Sequence, residues 1–166
     1  MHIAFNMIGL FFFGPMVESA LGARRYLAFY LLSGVGGGLG YLLLFATHSL
    51  GIEAYTPLIG ASAGIYGVLV AAMFIAPDVQ VMLMFPPIPM KLKTLVLVYI
   101  GIAVYTIITQ GDNAGGQAAH LGGAAVAFLL MRVPRLLDWT EQIGRPGIRY
   151  GGRRVRLKNR SDPWIR

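Results

Sequence analysis

Five apolar stretches divide this chain of 166 residues, at Ile3 to Val17, Tyr26 to Ala46, Leu58 to Ala76, Thr94 to Thr109 and Ala114 to Val133. Crossing a bilayer takes roughly 17–25 predominantly apolar residues in a helix, so the second, third and fifth qualify and the first and fourth are marginal in length. Hydrophobic residues make up 56% and charged residues 13% of a chain with 22 glycines, which is too apolar for an ordinary soluble domain. Mean hydropathy is +0.64, in agreement. The predicted fold class is all-α, a polytopic transmembrane helix bundle with five helices over residues 1–133, followed by a basic tail over 134–166 that is largely disordered. A secretory signal is a poor reading of the first stretch. No basic region precedes it, and Pro15 and Glu18 follow without a small-residue cleavage site. There is no cysteine, which excludes disulfides and thiolate metal sites.

The placement of charge predicts the orientation. All fourteen basic residues fall on one side: Arg24 and Arg25 after the first stretch, Lys91 and Lys93 between the third and fourth, and ten from Arg132 onward. By the positive-inside rule these segments, and with them the C-terminus, are cytoplasmic. The loops Thr47 to Pro57 and Gln110 to Asn113 carry no Lys or Arg and are therefore outer.

Two polar side chains interrupt these apolar spans, Ser62 in Gly60-Ala61-Ser62-Ala63-Gly64 and His120 in Gly115-Gly116-Gln117-Ala118-Ala119-His120. An uncompensated polar group in hydrocarbon costs several kcal/mol, so such groups face a protein interior or a wet cavity and point to function. At a rise of about 1.5 Å per residue, His2, Ser62 and His120 all fall within about 10 Å of the outer interface. Asn6 lies one turn below His2 on the same face. Close approach of the third and fifth spans is available through small residues at four-residue spacing: Ala63, Gly67 and Ala71 on one, Gly115, Ala119, Gly123 and Ala127 on the other. Taken singly, either polar residue is better explained as a buried side chain bonded to a neighbouring carbonyl.

Four motifs together carry a resemblance. His2-Ile3-Ala4-Phe5-Asn6 is similar to an H-x-x-x-N motif, and Val17-Glu18 with Gly22 to the turn that follows it. Gly60-Ala61-Ser62 with Tyr66 and Gly67 is similar to a G-x-S nucleophile motif, and Gly115, Ala119, His120 and Gly123 fit G-x-x-x-A-H-x-x-G. In this order, separated by membrane spans, they resemble the rhomboid family of intramembrane serine proteases over roughly residues 2 to 133. Ala63 departs from the glycine that many members carry directly after the serine. The family core also begins with a further helix and a long outer loop, so the chain is read as a fragment or as having a misplaced start.

The resemblance implies a Ser-His dyad in which Ser62 is the nucleophile and His120 the general base and acid. It assigns orientation of the imidazole to Tyr66, and stabilisation of the oxyanion to the Ser62 backbone N–H with His2 and Asn6. Gly60 and Ala61 leave room for a substrate backbone. No carboxylate stands near enough in sequence to complete a triad, Asp112 being over two turns from His120. The expected substrate is a single-pass transmembrane protein, unwound locally because an intact helix keeps its carbonyls bonded internally. The rival expectation is a non-catalytic rhomboid-like protein that binds transmembrane segments, and the presence of both serine and histidine favours the enzyme. A small transporter would place broken helices or ionisable residues at mid-membrane.

The remaining features are read as structural. Gly34, Gly36, Gly37, Gly38 and Gly40 permit close helix packing, with no Walker-type lysine after them. The stretch Pro77 to Lys93, broken by Pro86, Pro87 and Pro89, reads as an interfacial turn. The basic tail is expected to meet anionic headgroups of membrane lipids. No nucleic-acid module is present. Three scattered histidines, including His48 in an outer loop, define no metal site, and no cofactor is expected.

Overall fold

The computed structural model describes residues 2–47, 61–83, 87–142, 148–150 and 153–155. Five α-helices carry the architecture: α1 His2–Leu21, α2 Ala23–Ala46, α3 Ser62–Ile75, α4 Leu92–Ile108 and α5 Ala114–Arg132. Three of them, α1, α2 and α5, are long and apolar enough to cross a membrane, while α3 and α4 are shorter apolar helices. The fold is an all-α bundle of a multi-pass membrane protein.

What points outward identifies the solvent. Phe5, Phe11, Leu31, Leu39, Leu97 and Ile108 all lie exposed on the helix surfaces. A water-soluble bundle would bury such side chains, whereas in lipid they face a medium as apolar as themselves.

Helix α3 is the axis of the bundle, touching α1, α2, α4 and α5. Its residues Ala63, Gly64, Ile65 and Gly67–Ala72 are buried, so it is covered by protein along most of its length. With 14 residues it is about 21 Å long, shorter than a hydrocarbon slab of about 30 Å. The sequence stretch Leu58 to Ala76 thus contains a helix that begins only at Ser62, with residues 58–60 outside the described set.

Without a hydrophobic drive between helices in lipid, association depends on close backbone approach at small residues. Here that approach is three-sided. A Cβ on Gly123 of α5 would run into the carbonyls of Ala63 on α3 and Ser33 on α2. One on Gly37 of α2 would meet Ala63 and the Ala119 carbonyl, and one on Gly67 would meet Ser33 and Ala127. The Gly36 and Gly40 backbone packs on Gly122 in the same way. Gly36, Gly37 and Gly40 of α2 therefore lie in the seam with α5, and α3 closes it, whereas a Cβ on Gly34 or Gly38 would meet nothing within 4 Å.

The two helix connections at the basic end differ in length. Gly22 alone joins α1 to α2, at φ 82°, a left-handed conformation that residues with a Cβ rarely adopt. The connection between α3 and α4 contains a two-stranded antiparallel ladder, β1 Gln80–Met82 with β2 Pro89–Lys91, pairing Val81 with Met90. After α5 a 3₁₀ helix, Pro134–Glu141, packs back on α2 with Leu137 buried. The tail also forms a hairpin, β3 Ile148–Tyr150 with β4 Arg153–Val155; the rest of the tail lies outside the described residues.

Candidate active site

Ser62 is the first residue of α3, and His120 stands two turns into α5. The close packing of Ala63 against Gly123 draws these helices together beside both residues. Ser62 Oγ lies 2.9 Å from His120 Nε2, within hydrogen-bond distance across 58 residues of sequence. The serine is half-buried and the histidine buried, 8% exposed. A hydroxyl at the rim backed by an imidazole in the interior is the arrangement in which a reacting group can reach the oxygen while the base stays dry.

The imidazole is held on two further sides. Tyr66, one turn after Ser62 on α3, lies parallel to it with ring centroids 4.1 Å apart and planes 10° apart. Tyr99 of α4 packs behind Tyr66 at 6.2 Å between centroids. On the remaining ring nitrogen, His120 Nδ1 is 3.0 Å from Gln117 Oε1. Gln117 and Tyr99 are absent from the sequence-based set. The signal for Gln117 was available, since a residue three positions before His120 on a helix shares its face.

The helix start adds a second kind of group. The first ladder bond of α3 runs from Ile65 N–H to Ala61 O at 3.1 Å, so the N–H groups of Ser62, Ala63 and Gly64 precede the ladder and concentrate the positive end of the helix dipole. Asn6 is brought to the same level by the packing of α1. Gly9 of α1 contacts Ile65, and Asn6 and Ser62 each lie three residues before those partners in helices that run the same way. Asn6 is half-buried. His2 opens α1, but its side chain, like all of Gly60 and His48, lies outside the described residues. Ala61 is exposed and lines a cavity of about 340 Å³ with Tyr30, Leu31, Gly34, Val35 and Gly64. Ala63, Gly67, Ala119 and Gly123 occupy the helix contacts described above. Asp112 is exposed at the approach to α5, and the partner of Nδ1 is an amide, not a carboxylate. Among the described residues no group of three His, Cys, Asp or Glu side chains is placed to hold a metal ion.

The rhomboid domain family model matches residues 1–134, which is the whole helical bundle. This chain belongs to the rhomboid family. Its relatives include the RHOMBOID-like protein 12, mitochondrial, of Arabidopsis thaliana, 35% identical over 77% of this chain and 40% of the relative. The Rhomboid protease AarA of Providencia stuartii is 28% identical over 78% of this chain and 49% of its own length. The Rhomboid protease GluP of Bacillus subtilis is 28% identical over 76% of this chain and 22% of its own. The rhomboid chain thus spans less than half the length of each of these relatives. No solved structure matches it.

Proposed function

We propose that this rhomboid is an intramembrane serine endopeptidase that cleaves single-pass transmembrane substrates with Ser62 and His120. The observation that carries the reading is the 2.9 Å approach of Ser62 Oγ to His120 Nε2, in a family that includes proteins described as rhomboid proteases. In the reading, Nε2 takes the serine proton as Oγ adds to the scissile carbonyl, and the resulting imidazolium returns that proton to the leaving amine. Water then repeats the sequence on the acyl-enzyme.

The oxyanion formed in each addition needs donors already in place, and loss of one such donor typically costs about 10²–10³ in rate. The backbone N–H of Ser62, at the positive end of α3, is the first. The Asn6 amide, level with it on α1, is the second, and His2 at the start of α1 is the third. Ala61, with no side chain beyond Cβ, and Gly60 before it leave the substrate backbone room to approach.

The orientation follows from the same framework. Arg25 reaches Asp138 and Glu141, so the start of α2 and the end of α5 share one end of the bundle, where Lys91 and Lys93 also cluster on Asp78. The positive-inside rule makes that end, and the C-terminus, the inner one. The start of α3 is at the other end. Because α3 is about 9 Å shorter than the slab, Ser62 lies beneath the outer surface, reachable by water from above and by a membrane segment from the side. The inner basic end, including the tail, then meets anionic headgroups.

The test is cleavage of a single-pass reporter segment, with helix-weakening residues near its outer end, by the full chain in lipid bilayers. The wild type is expected to cut it and Ser62→Ala and His120→Ala to leave it intact. A fluorophosphonate should label the wild type strongly, should label His120→Ala far less or not at all, and should leave Ser62→Ala unlabelled. Equal cleavage by all three proteins would refute the assignment and favour a protein that binds membrane segments without cutting them.

A further inference from the structure

Among the described contacts of the Ser-His pair the partner of Nδ1 is an amide, yet the imidazole must present an unprotonated nitrogen to the serine. In the neutral ring one nitrogen carries hydrogen and the other a lone pair, and which is which depends on what each faces. Stacking on Tyr66 fixes the plane of the ring. It leaves open both the rotation within that plane and the tautomer, because a parallel aromatic face contacts the two nitrogens alike.

We infer that Gln117 is the positioning residue that sets the tautomer of His120, its side-chain oxygen accepting the Nδ1–H and so turning a bare Nε2 toward Ser62. The observation is the 3.0 Å separation of Gln117 Oε1 from His120 Nδ1, opposite the 2.9 Å separation of Nε2 from Ser62 Oγ. A side-chain amide oxygen is only an acceptor, so this contact requires hydrogen on Nδ1. The serine hydroxyl then donates to Nε2, the direction of transfer that a general base needs. The opposite amide orientation would place NH₂ against Nδ1, move the ring hydrogen to Nε2 and aim it at the serine oxygen, which leaves no base. The oxygen of Gln117 thus takes the place that a carboxylate fills in a triad, without adding a charge to a segment surrounded by lipid. An ionised group there would carry a desolvation cost that a neutral amide avoids.

The inference rests on the protease reading for its kinetic consequence but not for its structural one, and the two are tested separately. The structural readout is ¹⁵N NMR of the imidazoles of the full chain, selectively labelled at histidine and held in lipid nanodiscs, with His120 assigned by its loss in His120→Ala. Wild type is expected in the Nδ1–H tautomer. Ser62→Ala should keep that tautomer, Gln117→Met should give a mixture of the two, and Gln117→Glu should restore it, since a carboxylate is also an acceptor. A wild-type Nε2–H ring, or an unchanged Nδ1–H ring in Gln117→Met, overturns the inference whether or not any substrate is cut.

The kinetic readout uses the same reporter cleavage. Gln117→Met, close in volume, is expected to lower kcat by about 10–100-fold with KM within about twofold, comparable to the loss when the outer hydrogen-bond partner of a metal-bound histidine is removed. Gln117→Glu is expected to recover most of that loss. Wild-type kcat in Gln117→Met overturns the role in reaction. Should the methionine variant not fold, Gln117→Asn, which keeps the amide one methylene short of Nδ1, takes its place with the same expected loss.

Discussion

Tyr66 and His120 lie face to face, 4.1 Å between centroids and 10° between planes, although one side chain belongs to α3 and the other to α5. The pair joins the two helices at the depth where Ser62 and His120 meet, and it does so through ring surfaces. The phenolic oxygen takes no part in that contact. Tyr66→Phe is therefore expected to keep reporter cleavage within about twofold of wild type, while Tyr66→Leu should lose about 3–10-fold, the equivalent of an aromatic pair worth about 0.5–1.5 kcal/mol. Equal activity in the two variants would show that the stack does not hold the base.

The three-helix seam makes a sharper prediction, because the glycines within it are not equivalent. A Cβ on Gly123 would meet the Ala63 and Ser33 carbonyls, which are backbone atoms and cannot swing aside, whereas a Cβ on Gly38 meets nothing within 4 Å. Gly123→Ala is expected to destabilise the bundle by about 1–3 kcal/mol in detergent unfolding. It should also reduce cleavage by on the order of 10²-fold, since a displacement of about 1 Å at a reacting pair has that effect. Gly38→Ala should leave stability unchanged or raise it by up to about 1 kcal/mol through helix propensity. Similar losses in both would mean that the seam tolerates no change anywhere and that backbone contact is not the reason.

The helices were legible in the hydropathy because lipid leaves the backbone no partner but itself, so each apolar stretch had to be helical. Their ends were less so. The third helix starts at Ser62, with Ala61 as its N-cap, at a point inside the apolar run that hydropathy does not mark. Small-residue spacing marked α3 and α5 as able to approach closely. It was silent on which neighbour fills each groove, and the placement of α2 glycines Gly36, Gly37 and Gly40 against α5 emerges only from the packing. The β1–β2 ladder escaped notice because strands of three residues with prolines between them show no alternation. At the site, Gln117 stood in a run of glycine and alanine and drew no attention. Its meaning depends on the rotation of α5 that turns His120 toward Ser62.

The turn between α3 and α4 should respond to acid in one direction. Hydrogen bonds from Lys93 and Lys91, each 3.0 Å from Asp78 Oδ1, hold the exposed Asp78 carboxyl below the ordinary carboxylate range. A group whose folded value is depressed contributes stability above its unfolded value, and that contribution disappears as pH falls through the lower folded value. Protection of the Leu92 and Lys93 amides, bonded to the Val79 and Pro77 carbonyls, is thus expected to hold from neutral pH down to about pH 4 and then decline. In Asp78→Asn the protection should be lower at neutral pH and show no step. Hydrogen exchange read by mass spectrometry separates these outcomes, and a step of the same size in the asparagine variant would remove Asp78 as its cause.

Beyond the C-terminal end of α5 two forces hold the 3₁₀ helix, and their magnitudes decide which variant matters more. Arg25 of α2 pairs with Asp138 at 2.8 Å and Glu141 at 2.6 Å, with the carboxylates about half exposed. Leu137, immediately before Asp138 in sequence, is 1% exposed in the core. Ion pairs with such access to water are worth about 0–1 kcal/mol each, whereas truncating a buried leucine costs about 2–5 kcal/mol. Arg25→Met, which removes both pairs, should therefore raise amide exchange across Pro134–Glu141 by no more than about thirtyfold at low salt. That difference from wild type should shrink as salt screens the pairs. Leu137→Ala should release the same segment more strongly and equally at all ionic strengths. If Arg25→Met proves the more damaging, or if its effect ignores salt, the arginine acts there by packing against the 3₁₀ helix and not by its charge.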